Sequence, residues 1–179
     1  MRGNSRLTPG QAGHAVKTVI IGIAPARPGE EGQPLSALAP RSTGRKIASM
    51  LEMKPMEYMA AFDRVNVCPT AQTSTIDPKK YVHYAENLTG SLLRERRVIL
   101  LGQNVAACFG IEDFEYLVWK SVNLPKYGLV GWRANRIPPF EWAVLPHPSG
   151  RNRWYNDRIN VMRASEFLQT EKRRMTSGP

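Results

Sequence analysis

The chain has 179 residues, two of them cysteines, and its 25 Lys and Arg against 15 Asp and Glu give a formal net charge of +10. One domain of this length buries about 70% of its unfolded surface, so it can form a full core without disulfides. Two cysteines make no disulfide framework and are typical of an intracellular protein. No apolar run approaches the roughly 20 residues of a membrane span, and the N-terminus lacks an apolar signal-peptide core, so we expect a cytoplasmic protein with no membrane partner.

Short apolar runs that stop at Gly or Pro alternate with segments of helical periodicity. In chain order the sequence predicts a strand at 17–25, a helix at 42–53, a strand at 62–69, a helix at 77–93, a strand at 96–102, a short helix at 103–110, a hairpin within 127–137, a strand at 141–146 and a closing helix at 156–174.

This alternation predicts a three-layer α/β/α fold with a central, mainly parallel sheet of four or five strands. The third strand is the most apolar, which favours a central position. We expect one domain over 16–172, preceded by a flexible arm at 1–15 and followed by a basic flexible tail at 173–179.

Three loops that contain proline follow the first, second and fourth of the long strands, at 22–32, 66–73 and 145–152. Ligands of parallel sheets bind beyond the carboxyl ends of the strands, so these loops are the expected walls of one site. Their polar side chains at strand ends are Glu30, Glu31, Asn66 and His147.

The order of these segments resembles the uracil-DNA glycosylase superfamily over about Val19 to Leu168. The resemblance lies in VIIGIAPAR, EEGQPLSALAPRSTGRKI, RVNVCP, RRVILLGQNVAACFG and LPHPSGRN. GIAPA is similar to the first motif of the thermostable iron–sulfur branches, and HPSGRN is similar to the last motif of the superfamily.

The resemblance implies an enzyme that extrudes a deoxynucleotide from DNA and hydrolyses its N-glycosidic bond. It places Ala24 and Pro25 at the floor of a base pocket and Asn66 at the edge of the extruded base. It makes His147 the donor to the base oxygen that gains negative charge as the bond breaks. Pro146 and Pro148 restrict the backbone on both sides of this histidine, which suits a fixed donor.

The remaining implied roles are contacts with DNA, either duplex or single-stranded. The net positive charge favours a polyanionic partner, most simply nucleic acid. Ser149 and nearby backbone amides are expected to hold flanking phosphates, and the following residues are expected to enter the minor groove and fill the vacated stack. The predicted DNA-binding residues are Arg45, Ser149, Arg151, Asn152, Arg153 and Trp154.

The chain departs from those branches in its cysteines. Cys68 falls near a position that ligates the cluster in the iron–sulfur branches, but Cys108 is the only other cysteine. An iron–sulfur cluster takes about four thiolates, so we expect no cofactor and no metal.

The first motif and the acidic segment also differ. The first motif has Ile23 and Ala24 where many relatives carry an acid or amide that positions water. Glu31, and after it Glu30, are therefore the candidate catalytic carboxylates. Leu35 stands where one branch of the superfamily has an aromatic residue that stacks on the base, so we expect a roomier base pocket.

Three functions are compatible with these residues. The first is a DNA glycosylase that acts on uracil or a modified pyrimidine.

 

We expect this enzyme to act as a monomer. The second function is that of a catalytically inactive protein of the same fold that binds DNA or a nucleotide, which the missing acid of the first motif favours. The third is a protein-interaction module whose basic surface binds an acidic partner, and this function gives His147 no role.

Overall fold

A five-stranded sheet forms the centre of the protein. The computed structural model describes residues 17–25, 32–70, 77–91, 96–121, 140–149 and 152–177. The strands are β1 Val19–Gly22, β2 Asp63–Asn66, β3 Arg97–Leu101, β4 Lys120–Ser121 and β5 Glu141–Leu145, in the spatial order β2-β1-β3-β5-β4. The four longer strands are parallel to one another, and the short β4 is antiparallel to β5. The predicted side-by-side parallel strands are therefore confirmed.

Helices cover both faces of the sheet. They are α1 Thr43–Met50, α2 Pro55–Ala61, α3 Val82–Ser91, α4 Gln103–Cys108 and α5 Arg158–Ser177, and short 3-10 turns lie at Pro78–Tyr81 and Arg153–Asn156. No helix in these described ranges is both long and apolar enough to cross a membrane.

The strand side chains alternate between two buried clusters. Ile21 and Leu100 pack in one cluster with residues of α3 and α4, whereas Ile20 and Leu101 pack in the other with residues of α1, α2 and α5. A parallel sheet that is apolar on both faces must be covered on both faces. The predicted three-layer α/β/α fold is confirmed.

The C-terminal end of α5 differs from the prediction. The helix continues to Ser177, where the sequence predicts a flexible tail from residue 173. Arg174 donates to the buried Glu171 carboxylate at 2.8 Å, and Thr18 also donates to that carboxylate. Met175 packs against the core. The tail prediction is therefore wrong for 173–177, because tertiary contacts stabilise a last helical turn rich in charge.

The structure contains a helix, α2, and a strand, β4, that the sequence pattern does not predict. Helix α2 begins at Pro55 as its first residue, and the Lys54 N–H donates to the Glu57 carboxylate at 3.0 Å. Strand β4 has only two residues, too few for a periodic signal. The predicted arm at 1–15 and the hairpin within 127–137 lie outside the described residues.

Candidate active site

A cavity of about 360 Å³ lies beyond the carboxyl end of β1, within the size range of small-molecule sites. It is bounded by the loop after β1, the segment before α1, the first turn of α1 and the loop after β5. Its lining residues are Gly22, Ile23, Ala24, Pro25, Gln33, Leu35, Ser36, Ala39, Ser42, Thr43, Gly44 and His147. The structure thus brings Ala24, Pro25, Leu35 and His147 together, as the sequence predicts.

The start of α1 lies directly against the cavity wall. A Cβ atom on Gly44 would lie 2.0 Å from the backbone oxygen of Leu35, so only glycine lets the helix approach this closely. Ser42 caps the helix, because its hydroxyl accepts from the Arg45 N–H at 3.1 Å and donates to the Ser36 oxygen at 2.7 Å. These contacts fix the wall that carries the Leu35 side chain.

Asn66 ends β2 beside Gly22, its register partner in β1. A Cβ atom on Gly22 would lie 2.6 Å from Asn66 Oδ1 and 3.0 Å from Leu35 Cδ2, so these three residues lie close together. Gly22 and Leu35 line the cavity, whereas Asn66 does not. Asn66 Oδ1 is buried and accepts no hydrogen bond from any described residue. A buried acceptor without a donor costs about 1–3 kcal/mol, which the fold tolerates here next to a cavity.

His147 lies two residues beyond β5 and is half-buried. Gly102, at the end of β3, has a φ of +85° and donates to the Leu145 oxygen at 2.8 Å. A Cβ atom on Gly102 would lie 3.1 Å from the Cβ of His147. The absence of a side chain at Gly102 therefore makes room for the histidine at the edge of the sheet.

Hydrogen bonds hold the backbone on both sides of His147. Asn152 Nδ2 donates to the His147 oxygen at 3.0 Å, and Asn152 Oδ1 accepts from the Trp154 N–H at 3.1 Å. Tyr155 Oη donates to the Pro146 oxygen at 2.7 Å. The loop is thus tied to the 3-10 turn that follows it, and the imidazole is preorganised.

The charge state of His147 follows from its surroundings. Burial, and in addition the positive charge of Lys46, lower the pKa of His147 below its ordinary value of 6.5. The imidazole is therefore neutral at pH 7, with one ring nitrogen that donates and one that accepts. The N–H of the neutral ring can donate a hydrogen bond to a developing negative charge.

The family comparison agrees with this site. The model of the uracil DNA glycosylase superfamily matches residues 9–170. The chain belongs to the uracil DNA glycosylase superfamily. The match includes both β1 with its loop and the loop of His147. No curated protein matches the chain.

A second groove, of about 370 Å³, is lined by α1 and by residues that follow His147. Lys46 and Ser49 of α1 face Ser149 of the loop after His147 across this groove. The sequence predicts Ser149 as a phosphate contact but gives no sign of Lys46, because a lysine within a helix is most often solvated. The exposed Arg45 and Arg153 are the other described cations among the predicted DNA contacts.

Two predicted DNA contacts have structural roles. The Asn152 amide bonds the backbone oxygen of His147 at one end and the backbone N–H of Trp154 at the other, as given above. Trp154 is half-buried and packs edge-on against Tyr155, with ring centroids 4.9 Å apart, while its backbone oxygen accepts from Asn160 at 3.0 Å. Insertion of this indole into DNA would require that packing to break.

Three of the predicted site residues lie outside the described part of the chain. They are the candidate catalytic Glu30 and Glu31 and the candidate DNA contact Arg151. Among the lining residues that the structure describes, the cavity contains no acidic side chain. The candidate carboxylates therefore remain predictions from the sequence.

The pKa of His147 gives a first testable prediction. In an NMR titration, His147 is expected to titrate below 6.5, and Lys46→Met is expected to raise its pKa because a neighbouring positive charge is removed. Lys46→Arg keeps the charge and serves as the control. An unchanged His147 pKa in Lys46→Met would contradict the assigned role of the lysine.

The same pKa shift predicts the sign of the pH dependence of stability. Unfolded His147 binds a proton below about pH 6.5, whereas the folded imidazole does so only at lower pH. The free energy of unfolding should therefore decrease as the pH falls from 6.5 through the folded pKa, because the unfolded state binds the proton more readily. His147→Gln should remove this part of the slope in denaturation curves measured across that range.

Proposed function

We propose that this protein is a DNA glycosylase that extrudes uracil or a modified pyrimidine from DNA and hydrolyses its N-glycosidic bond. The observation that carries the proposal is the pairing of a base-sized cavity with a fixed neutral imidazole at its edge. Membership of the superfamily and the net charge of +10 support it.

The chemistry requires a donor at the place where charge develops. As the C–N bond breaks, the sugar becomes oxocarbenium-like and the bonding electrons leave with the base, whose carbonyl oxygen becomes anionic. An N–H of His147 is the proposed donor to that oxygen, and one such preorganised donor is typically worth ~3–4 kcal/mol. Water then adds to the sugar carbon and its proton passes to base or solvent. Glu31, or Glu30, is the proposed carboxylate that positions this water.

Recognition of the base is assigned to Asn66. Its buried oxygen lacks a partner in the described part of the free protein, and it lies behind Gly22 and close to Leu35, which both line the cavity. An N–H at the edge of an extruded base would satisfy this acceptor. The aliphatic Leu35 packs against the base in place of an aromatic ring.

The phosphate backbone is assigned to the second groove. Lys46 and Ser149 provide a cation and a hydroxyl on the two sides of this groove, next to the His147 loop. Exposed Arg45 and Arg153 add positive charge. We propose DNA, duplex or single-stranded, as the partner of a cytoplasmic monomer, with affinity that falls steeply as salt is raised.

A second candidate is a protein of this superfamily that binds DNA without cleaving it. The first motif has Ile23 and Ala24 in place of an acid or amide, which favours this candidate. It keeps the roles of Lys46 and Ser149 but leaves His147 without a chemical step.

One experiment separates the two candidates. Duplex and single-stranded oligonucleotides that each carry one altered base are incubated with the protein and scored for alkali-labile abasic sites. The glycosylase proposal expects abasic sites at uracil or a modified pyrimidine. Salt-dependent binding with no base released anywhere in the panel would instead establish the binding-only function.

A further inference from the structure

A second cavity, of about 270 Å³, also borders His147. Both cavities are lined by Ile23 and His147, so they are neighbours that share these two residues. The other lining residues of this second cavity are Leu101, Gly102, Gln103, Asn104, Tyr116 and Asn152. None of the functions assigned above uses it.

Two primary amides stand at the rim of the second cavity. Gln103 and Asn104 are the first residues of α4, and both are exposed. Neither side chain is bonded to another residue within the described chain, so both amides keep a free donor and a free acceptor. A single Asn or Gln amide can form two hydrogen bonds with the edge of a base, above all adenine.

The opposite wall is an aromatic ring held in place. The Tyr116 ring packs edge-on against Phe114, with centroids 5.2 Å apart, and lies 6.2 Å from the Trp154 ring. Its backbone forms a bridge with Val144 of β5. A fixed, half-buried tyrosine offers a surface on which a base can stack.

We propose that the second cavity binds the base next to the extruded one in the same strand and makes the reaction depend on its identity. The two cavities share Ile23 and His147 as lining residues, and consecutive bases are joined by one phosphodiester, so consecutive nucleotides can enter them together. The amides of Gln103 and Asn104 select adenine, which presents an acceptor and a donor to such an amide. This inference rests on the proposed function, since it assumes an extruded nucleotide in the first cavity.

The test measures single-turnover cleavage of eight oligonucleotides that carry the released base with each of the four bases at its 5′ or its 3′ neighbour. The parent protein is expected to cleave the adenine context about tenfold faster at one of the two neighbours. The double variant Gln103→Ala, Asn104→Ala should reduce this ratio to about one while leaving the slowest contexts unchanged. Asn156→Ala, which removes an exposed amide that does not line the second cavity, is the control and should leave the ratio intact.

Two results would overturn the inference without touching the proposed function: equal cleavage of all eight oligonucleotides by the parent, or a preference that persists in the double variant. If no base is released, the proposed catalysis fails, and the affinities of the same eight oligonucleotides at fixed salt decide the inference instead. A preference for adenine that the double variant loses supports it, and equal affinities contradict it.

Discussion

His147→Ala is expected to lower the single-turnover rate of base release by about a hundredfold or more. The imidazole is held by the bonds of Asn152 and Tyr155 to its loop, and it is neutral at pH 7 because of burial and Lys46. Loss of one preorganised donor to a developing oxyanion typically costs 10²–10³ in rate. Affinity for DNA should change far less, because contacts with phosphate dominate it.

His83→Ala is the matched control for this variant. His83 is exposed on α3 and belongs to neither of the two cavities that His147 lines. Rates are measured by quenched-flow with enzyme in excess, and affinities by anisotropy at the same salt concentration. Equal rates for His147→Ala and the parent would remove the histidine from the mechanism, whatever the control shows.

The fold was predictable where the sequence pattern is local. Buried runs such as Val98–Leu101, bounded by charge and glycine, predict the long strands and therefore the parallel sheet. Helix α2 was missed because its seven residues give little periodicity, and α5 extends three residues beyond its predicted end at 174, where Arg174 and Met175 contact distant parts of the chain. Such long-range contacts are not visible in a local pattern.

The site was predictable to a similar extent. Asn66 and His147 stand at strand ends in loops that contain proline, so the sequence indicates them directly. Lys46, Gln103 and Asn104 lie in helices, where charged and amide residues are common on solvated faces. Only the positions of these helices relative to the His147 loop show that they border cavities.

Asn66 should set the choice of base, and Asn66→Ala is expected to lower the rate ratio between the preferred base and other pyrimidines by about a hundredfold. A site built to hydrogen-bond its substrate rejects an analogue because the buried polar group of the site is left unpaired. In the free protein Asn66 Oδ1 is already unpaired among the described residues, so its removal takes away a cost. The free energy of unfolding should therefore stay the same or rise while selectivity falls. Release of each base in the panel and urea denaturation measure the two effects. A variant that loses stability and keeps its selectivity would show that Asn66 supports the fold and does not read the base.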